Sequence, residues 1–190
     1  MRAIASPRWG GPEVLEGVSV DRPEPRATEI LVEVHAAGVN PTDWKSRAGG
    51  GRGDWGDPPI LGHDVSGVVV GCGIGASLYR PGDEVFGMPH FPQQAGGYAE
   101  YVAAPSRHFV PKPAGLSHVE AAALPLVGLT AWQALAEVAE LRAGQRVLVH
   151  AAAGGLGHSL SRSRRRWART SSAPRARAST SCCGHSASTS

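Results

Sequence analysis

The chain has little of what would make it secreted, membrane-spanning or disulfide-built. Only three cysteines occur in 190 residues, Cys72, Cys182 and Cys183, and none forms a C-x-x-C pair. A disulfide scaffold is excluded, and a reducing, cytoplasmic setting is the expected localisation. No apolar run approaches the ~18 residues that a membrane span needs, and the opening MRAIASPRWGGPEV lacks the apolar stretch of a secretory signal. No membrane partner is expected. Aromatic residues are 6%, too sparse for a platform on which bases stack. Acidic residues are missing altogether after position 158, where the remaining segment holds seven arginines, whereas residues 1–158 hold all sixteen acids against twelve Lys and Arg. The formal charge of +3 therefore belongs to a short tail and not to the folded body. Arg162, Arg164, Arg165, Arg166 and Arg169 would attract phosphate without reading sequence, so no specific nucleic-acid partner is expected.

The length allows one domain or one plus part of another, at ~100–200 residues per domain. Residues 1–116 read as short β-branched runs broken by Gly and Pro, the pattern of a turn-rich β domain. Strands are expected at Ile30–Ala36, Val65–Gly71, Asp83–Gly87 and Gly97–Val102, the last alternating as if one face were wet. Composition changes at Ser117, where Ser117-x-x-Glu120 has capping-box spacing. An Ala-rich helix from Glu120 to Leu124 is expected to stop at Pro125, and a second from Thr130 to Leu141 to stop before Gly144. Arg146–His150 then reads as a short buried strand of a parallel sheet. Ala152-Ala153-Gly154-Gly155-Leu156-Gly157 follows at once and fits G-x-G-x-x-G with alanine in the first place. Such a turn lets backbone approach a pyrophosphate at Gly154 and lets the next helix pack closely at Gly157. Alone, the motif is equally compatible with an empty glycine-rich loop.

The order of these features resembles a known family. Gly38-Val39-Asn40-Pro41-Thr42-Asp43-Trp44-Lys45, then Pro59-Ile60-Leu61-Gly62-His63-Asp64-Val65-Ser66-Gly67, then Pro81-Gly82-Asp83-Glu84-Val85-Phe86-Gly87 are similar to the medium-chain dehydrogenase/reductase superfamily. Gly97–Val102, Gly128-Leu129-Thr130-Ala131-Trp132 and the Ala152–Gly157 turn continue the match in the same order. The resemblance implies a mixed β and α/β fold class: a GroES-like β-barrel domain over 1–116, then, over 117–158, linking helices and the first β-turn-α piece of a Rossmann fold. It points to the zinc-independent quinone oxidoreductase, or zeta-crystallin-like, branch. Zinc members carry a cysteine where this chain has Asn40, and a catalytic zinc needs about three protein ligands. No metal site is expected, and His63 is read as a structural group.

The same resemblance implies NADPH as cofactor and an electron-poor quinone or enone as the small-molecule partner. Asn40, Asp43 and Thr130 would form the catalytic site, with Asn40 and Thr130 beside the nicotinamide and Asp43 at the cleft edge. Ala153, Gly154, Gly155, Leu156 and Gly157 would hold the diphosphate. Each polar residue also has a bland reading: Asn40 as a turn residue before proline, Thr130 as the cap of the helix it begins, Asp43 as the cap of a short turn. Tyr98 and Tyr101 face either a cleft or the sheet. No Ser-His-Asp order stands out, which disfavours a hydrolase.

After His158 the family pattern fails. A Rossmann unit continues into an amphipathic helix, a second strand and a residue that reads the ribose ~20 positions on; here Ser, Arg and Ala run to the end. Residues 159–190 are expected to be a disordered basic tail. Back-translated into GC-rich codons and read from the third base, 166–176 and 178–190 yield segments like the second Rossmann strand and its helix, so a shifted reading frame accounts for the tail. The expectation is an oxidoreductase chain with weak or lost NADPH binding, low or no activity, and a doubtful homodimer. The alternative is a non-enzymatic GroES-like binding or interaction module.

Overall fold

The computed structural model describes residues 1–49 and 56–168. Its class is mixed β and α/β, with an antiparallel sheet followed by helices. The main sheet has five strands in the order β6-β3-β4-β5-β7: β3 (Glu29–Ala37), β4 (Val65–Cys72), β5 (Glu84–Gly87), β6 (Tyr101–Pro105) and β7 (Phe109–Pro111). A separate antiparallel pair, β1 (Arg2–Ala5) with β2 (Glu16–Ser19), is joined to the body by bridges from Ala3 to Ala99 and Ala5 to Ile60. Ile30, Val32, Val65, Val69, Val85, Val102, Ala104 and Phe109 form the core of the main sheet. Burying a side chain of this size stabilises by roughly 1.5–3 kcal/mol, and these strands are rich in β-branched residues that fit a pleated surface.

β3 is the pivot, because it lies between β4 and β6 and its far end leads into the site. Its register against β4 shifts between Leu31 and Val32 and again between Val34 and Ala36. Gly67 sits opposite Val34, where a Cβ would collide with the Glu33 backbone. β3 then passes through Gly38 into α1 (Pro41–Gly49), with Pro41 at the first helical position, where its missing N–H has no intrahelical role. At Gly38 a Cβ would collide with the Ala122 carbonyl and stand 2.9 Å from Asp64 Cβ, so glycine here lets three segments meet.

The strands expected at Ile30–Ala36, Val65–Gly71 and Asp83–Gly87 are present as β3, β4 and β5. The one expected at Gly97–Val102 begins only at Tyr101. Gly97 and Tyr98 donate their N–H groups to Gly62 and Leu61, and the Tyr98 carbonyl accepts from Ile4, so that stretch ties a loop and β1 together instead of joining the sheet. The capping box forms: Ser117 Oγ accepts the Glu120 N–H at 3.2 Å and Glu120 accepts the Ser117 N–H at 2.8 Å, starting α2 (His118–Ala122).

The second helix begins earlier than expected. α3 runs Pro125–Trp132 and continues as a π-helical turn over Gln133–Val138. Pro125 opens this helix rather than closing the one before, since proline is accommodated in a first turn. Thr130 is therefore interior to α3 and does not cap it. Arg146–His150 carries no strand hydrogen bonds, and Leu148 is exposed. A parallel strand exists only with a neighbour, and none of the described residues supplies one. The turn and the following helix do form: α4 (Gly155–Ala168) includes residues 159–168, contrary to the disorder expected there. Past Gly157 that stretch has no glycine or proline and contains leucine, arginine and alanine, good helix formers. The rest of the expected tail, 169–190, lies outside the described residues. Among the described residues no helix is long and apolar enough to cross a membrane.

Candidate active site

Asn40 is the N-cap of α1. The Asp43 N–H donates to the Asn40 carbonyl at 3.0 Å, and Asp43, third in the helix, accepts the Asn40 N–H through Oδ2 at 2.7 Å. This is the acidic half of a capping box. The bland reading of Asp43 as a turn cap therefore has a hydrogen bond behind it, while the Asn40 side chain is left to point elsewhere. Asn40 Nδ2 donates to Asp64 Oδ2 at 2.9 Å.

Asp64 reaches further. Its two carboxylate oxygens accept the Leu126 N–H at 3.1 and 3.2 Å. Leu126 is second in α3, where backbone N–H groups have no partner within the helix and a negative charge is favoured. The carbonyl of the same Leu126 accepts the Thr130 hydroxyl at 2.7 Å. Asn40 and Thr130, 90 residues apart in sequence, are thus joined by Asp64 and one turn of helix.

The cluster is dry. Asn40, Asp43, His63 and Asp64 are all buried. Burial pushes the Asp64 carboxyl up to about 6 against the pull of its bonds from Asn40 and Leu126, and the charge of Asp43 adds to the rise. Asp43 is also raised by burial, opposed by the Asn40 N–H, by His63 and by Tyr98. His63 is lowered by burial, with the Asp43 charge acting the other way. Tyr98 donates its hydroxyl to Asp43 Oδ2 at 3.1 Å, and its phenol is raised by burial and then by that carboxylate. Gly62, with φ of 91°, leaves room for the Tyr98 ring, which a Cβ would strike. Among the described residues Asp43 Oδ1 is buried without a hydrogen bond.

The glycine-rich turn is formed as well. The Gly154 N–H donates to Ala151 at 2.9 Å and the His158 N–H to Gly154 at 2.8 Å. Gly157 is buried, and a Cβ there would collide with the backbone of Ala151 and Ala152, so the close approach expected of this glycine is real but is made to the turn and not to a strand. Gly155 starts α4 near Val127 of α3. Ala153, Gly154, Gly155 and Leu156 are exposed. Backbone of the turn is exposed at Ala153–Leu156, with the Gly154 N–H taken up by Ala151; a strand to support the turn is absent among the described residues.

Two other features bear on chemistry. A groove of ≈ 900 Å³ lies between β1, β2 and β3, walled by Ile4, Val18, Val34, Ala36, Val39 and Tyr98. Neither Asn40, Thr130 nor the glycine turn lines it, so it is not the site described here. Sequence reading misses a Ser-His-Glu array: Ser66 Oγ lies 2.8 Å from His118 Nδ1, and His118 Nε2 lies 3.2 Å from Glu84. It is not a nucleophile site, since Ser66 is fully buried and its hydroxyl donates to the Val85 carbonyl at 3.1 Å. The array staples α2 to β4 and β5. Among the described residues no group of three or more His, Cys, Asp or Glu side chains converges to hold a metal ion.

A β domain in which the loops at the adjoining ends of β3 and β4 carry Asn40 and Asp64, leading into helices and a glycine turn, is the architecture of alcohol dehydrogenase-like proteins. Residues 26–114 match the alcohol dehydrogenase GroES-like domain, and the chain belongs to the medium-chain dehydrogenase/reductase superfamily. Its relatives include the quinone oxidoreductase of Rattus norvegicus, 40% identical over 158 residues, covering 83% of this chain and 47% of the relative. The structure of quinone oxidoreductase from Coxiella burnetii superposes with a TM-score of 0.79 at 38% identity, over 88% of this chain and 54% of that one. A mycobacterial relative solved in complex with NADPH superposes at a TM-score of 0.76 and 34% identity, over 88% of this chain and 50% of that one. The chain spans about half the length of the curated relatives it matches.

Proposed function

We propose that this chain presents the nicotinamide-facing wall of a zinc-free NADPH-dependent reductase site for quinones or enones, with 1–116 as the GroES-like domain and 117–158 as the start of the cofactor domain. The observation that carries the reading is the hydrogen-bonding state of Asn40 and Thr130. The Thr130 hydroxyl proton is committed to Leu126, which leaves its oxygen as an acceptor. Asn40 has Nδ2 turned to Asp64, so Oδ1 and one N–H remain to be presented. Two acceptors complement the N–H groups of a nicotinamide carboxamide, and orientation of that ring is what such a wall contributes. When bound, NADPH supplies a hydride to an electron-poor double bond.

Within this reading Asn40 and Thr130 are the catalytic residues, and Asp43 holds the loop that carries Asn40. Within the proposed Ala153–Gly157 turn, the N–H groups of the exposed Ala153, Gly155 and Leu156 would meet the diphosphate, while the Gly154 N–H is held by Ala151 and Gly157 is buried where the turn closes. Binding is weaker than in relatives of twice the length, because among the described residues the turn has no strand behind it and Ala153–Leu156 stand exposed. The supporting likeness is the NADPH complex of the mycobacterial relative.

Titrating NADPH into the protein and following cofactor fluorescence, with and without a model quinone, tests this. The expected result is a weak enhancement that Asn40→Ala and Thr130→Val each reduce, with little turnover. Saturation at micromolar NADPH with quinone turnover would refute the weak-binding half. Titrations that neither substitution changes would refute the nicotinamide placement.

A further inference from the structure

We infer that Asp64 is a positioning residue that sets the polarity of the pocket wall, holding the Asn40 amide with its oxygen outward and tying that orientation to the helix turn that bears Thr130. The inference rests on the proposed role of Asn40 and Thr130, but its structural half concerns this chain alone. Three observations carry it. A carboxylate accepts only, so the group of Asn40 that faces it must be Nδ2 and not Oδ1; this settles an amide orientation that atoms of similar size would leave ambiguous. The same carboxylate takes the Leu126 N–H with both oxygens. Leu126 in turn accepts the Thr130 hydroxyl, which removes that donor from the pocket.

The arrangement is narrow because its surroundings are closed. Asp64 is 1% exposed, and its backbone carbonyl accepts the Gly38 N–H at 2.9 Å, where glycine is the only residue that fits between Asp64 and Ala122 of α2. Of the ionisable groups around it, Asp43 from α1 acts on Asp64 directly, Tyr98 from the segment before β6 feels the charge of both carboxylates, and His63 acts on Asp43. α3 contributes the Leu126 N–H and α2 contributes backbone. No cationic side chain among the described residues is hydrogen-bonded to the carboxylate, so Asp64 is held by two neutral donors whose geometry it dictates.

A neutral isostere tests the inference. In Asp64→Asn an oxygen kept in the Oδ2 place would set the new Nδ2 about 3.1 Å from the Leu126 N–H, donor against donor; the oxygen therefore takes the other place and accepts from Leu126, while the new Nδ2 donates to Asn40 and turns its amide over, leaving donors where an acceptor had faced the pocket. Adding Asn40→Asp restores an outward oxygen, because the carboxylate then placed at position 40 accepts from the amide placed at position 64 and is an acceptor on its other side too.

Nuclear magnetic resonance of the ligand-free chain reads the structural half. The Asn40 side-chain amide, the Leu126 N–H and the Thr130 amide should titrate together with one midpoint near 6, and all three responses should vanish in Asp64→Asn. Separate midpoints, or a Thr130 signal that ignores Asp64, would overturn the tie. Binding reads the functional half: Asp64→Asn should weaken NADPH about fivefold to tenfold, the loss of one well-made hydrogen bond to a wrong-facing donor. ADP, which lacks the nicotinamide, should bind as before, and the double variant should recover most of the NADPH loss. If Asp64→Asn weakens ADP and NADPH alike, Asp64 is merely structural and the inference fails. If the resonances are coupled but no variant changes NADPH binding, the tie stands, and both the polarity claim and the nicotinamide placement on which it rests are refuted.

Discussion

The ionisation of Asp64 should be visible in stability as well as in the pocket. Its carboxyl is raised from an ordinary 3.8 to about 6, chiefly by burial. Between those values the folded state holds the proton more tightly than the unfolded chain does, so unfolding releases protons and lowering the pH favours the fold. A carboxyl raised from 3.8 to about 6 corresponds to about 3 kcal/mol between its two protonation states. That increment is fully present below 3.8 and is lost as the pH rises through about 6. The protein as a whole will not show it cleanly. His63, His108 and His118 are lowered and Glu84, Glu100 and Glu120 are lowered, and both kinds of group remove stability as the pH falls. Comparing the protein with Asp64→Asn cancels those contributions. Urea unfolding of both at a series of pH values should show the difference moving in favour of the native chain by up to about 3 kcal/mol as the pH falls from neutrality to about 4. A difference that is flat with pH, or that moves the other way, would refute the account of Asp64 as a buried carboxylate held only by neutral donors.

Three further substitutions probe the frame around the site. Gly67→Ala should destabilise by about 1–3 kcal/mol or more, because the added Cβ meets the Glu33 backbone across a bulged ladder, where no side chain can yield; unchanged urea midpoints would refute this. His118→Ala should cost about 1–3 kcal/mol in the same assay, since buried Ser66 loses a partner and α2 loses its staple to Glu84; no loss would mean that α2 is held by its cap alone. Tyr98→Phe removes a donor that favours the Asp43 carboxylate, so the Asp43 carboxyl should move further up. Carbon-detected magnetic resonance of that carboxyl reads the shift, and a downward move would contradict the bond.

The parts of the fold that can be read from sequence are those decided within a few residues. β3, β4 and β5 are legible because their β-branched runs end at Gly and Pro, and the Ser117-Glu120 box because its two hydrogen bonds lie within one turn. Arg146–His150 looks like a strand by the same criteria and is not one, because strand formation is a property of a pair. Pro125 reads as a stop, although in a first turn it is a start; Thr130 is consequently not a cap but an interior residue whose hydroxyl bonds to its own helix. The site residues follow from family order, but their connection does not. In the sequence Asp64 stands out only as the neighbour of His63, and its actual partners lie 24 and 62 positions away. No local pattern marks such a residue. The signal that could find it is chemical: an acid beside the apolar start of β4 must be buried, and a buried acid must find donors.

Asp64 also separates the enzymatic reading from the alternative of a β domain kept only for binding or support. A buried charge is expensive, and a structural domain gains nothing by keeping one where a neutral side chain would leave the same partners hydrogen-bonded. The amide introduced by Asp64→Asn would still accept from Leu126 and would avoid the cost of an ionised group. At neutral pH that variant should therefore be as stable as the native chain or more so, by up to about 3 kcal/mol from the ionisation alone. In a purely structural module that gain would come without loss. In a cofactor wall it should come with weakened NADPH, because the stabilising substitution reverses the amide that faces the nicotinamide. Stability and affinity moving in opposite directions in one variant would mark Asp64 as retained for a site. A gain in stability with NADPH binding unchanged would mark the cluster as structural and remove the reason to read Asn40 and Thr130 as parts of an active site.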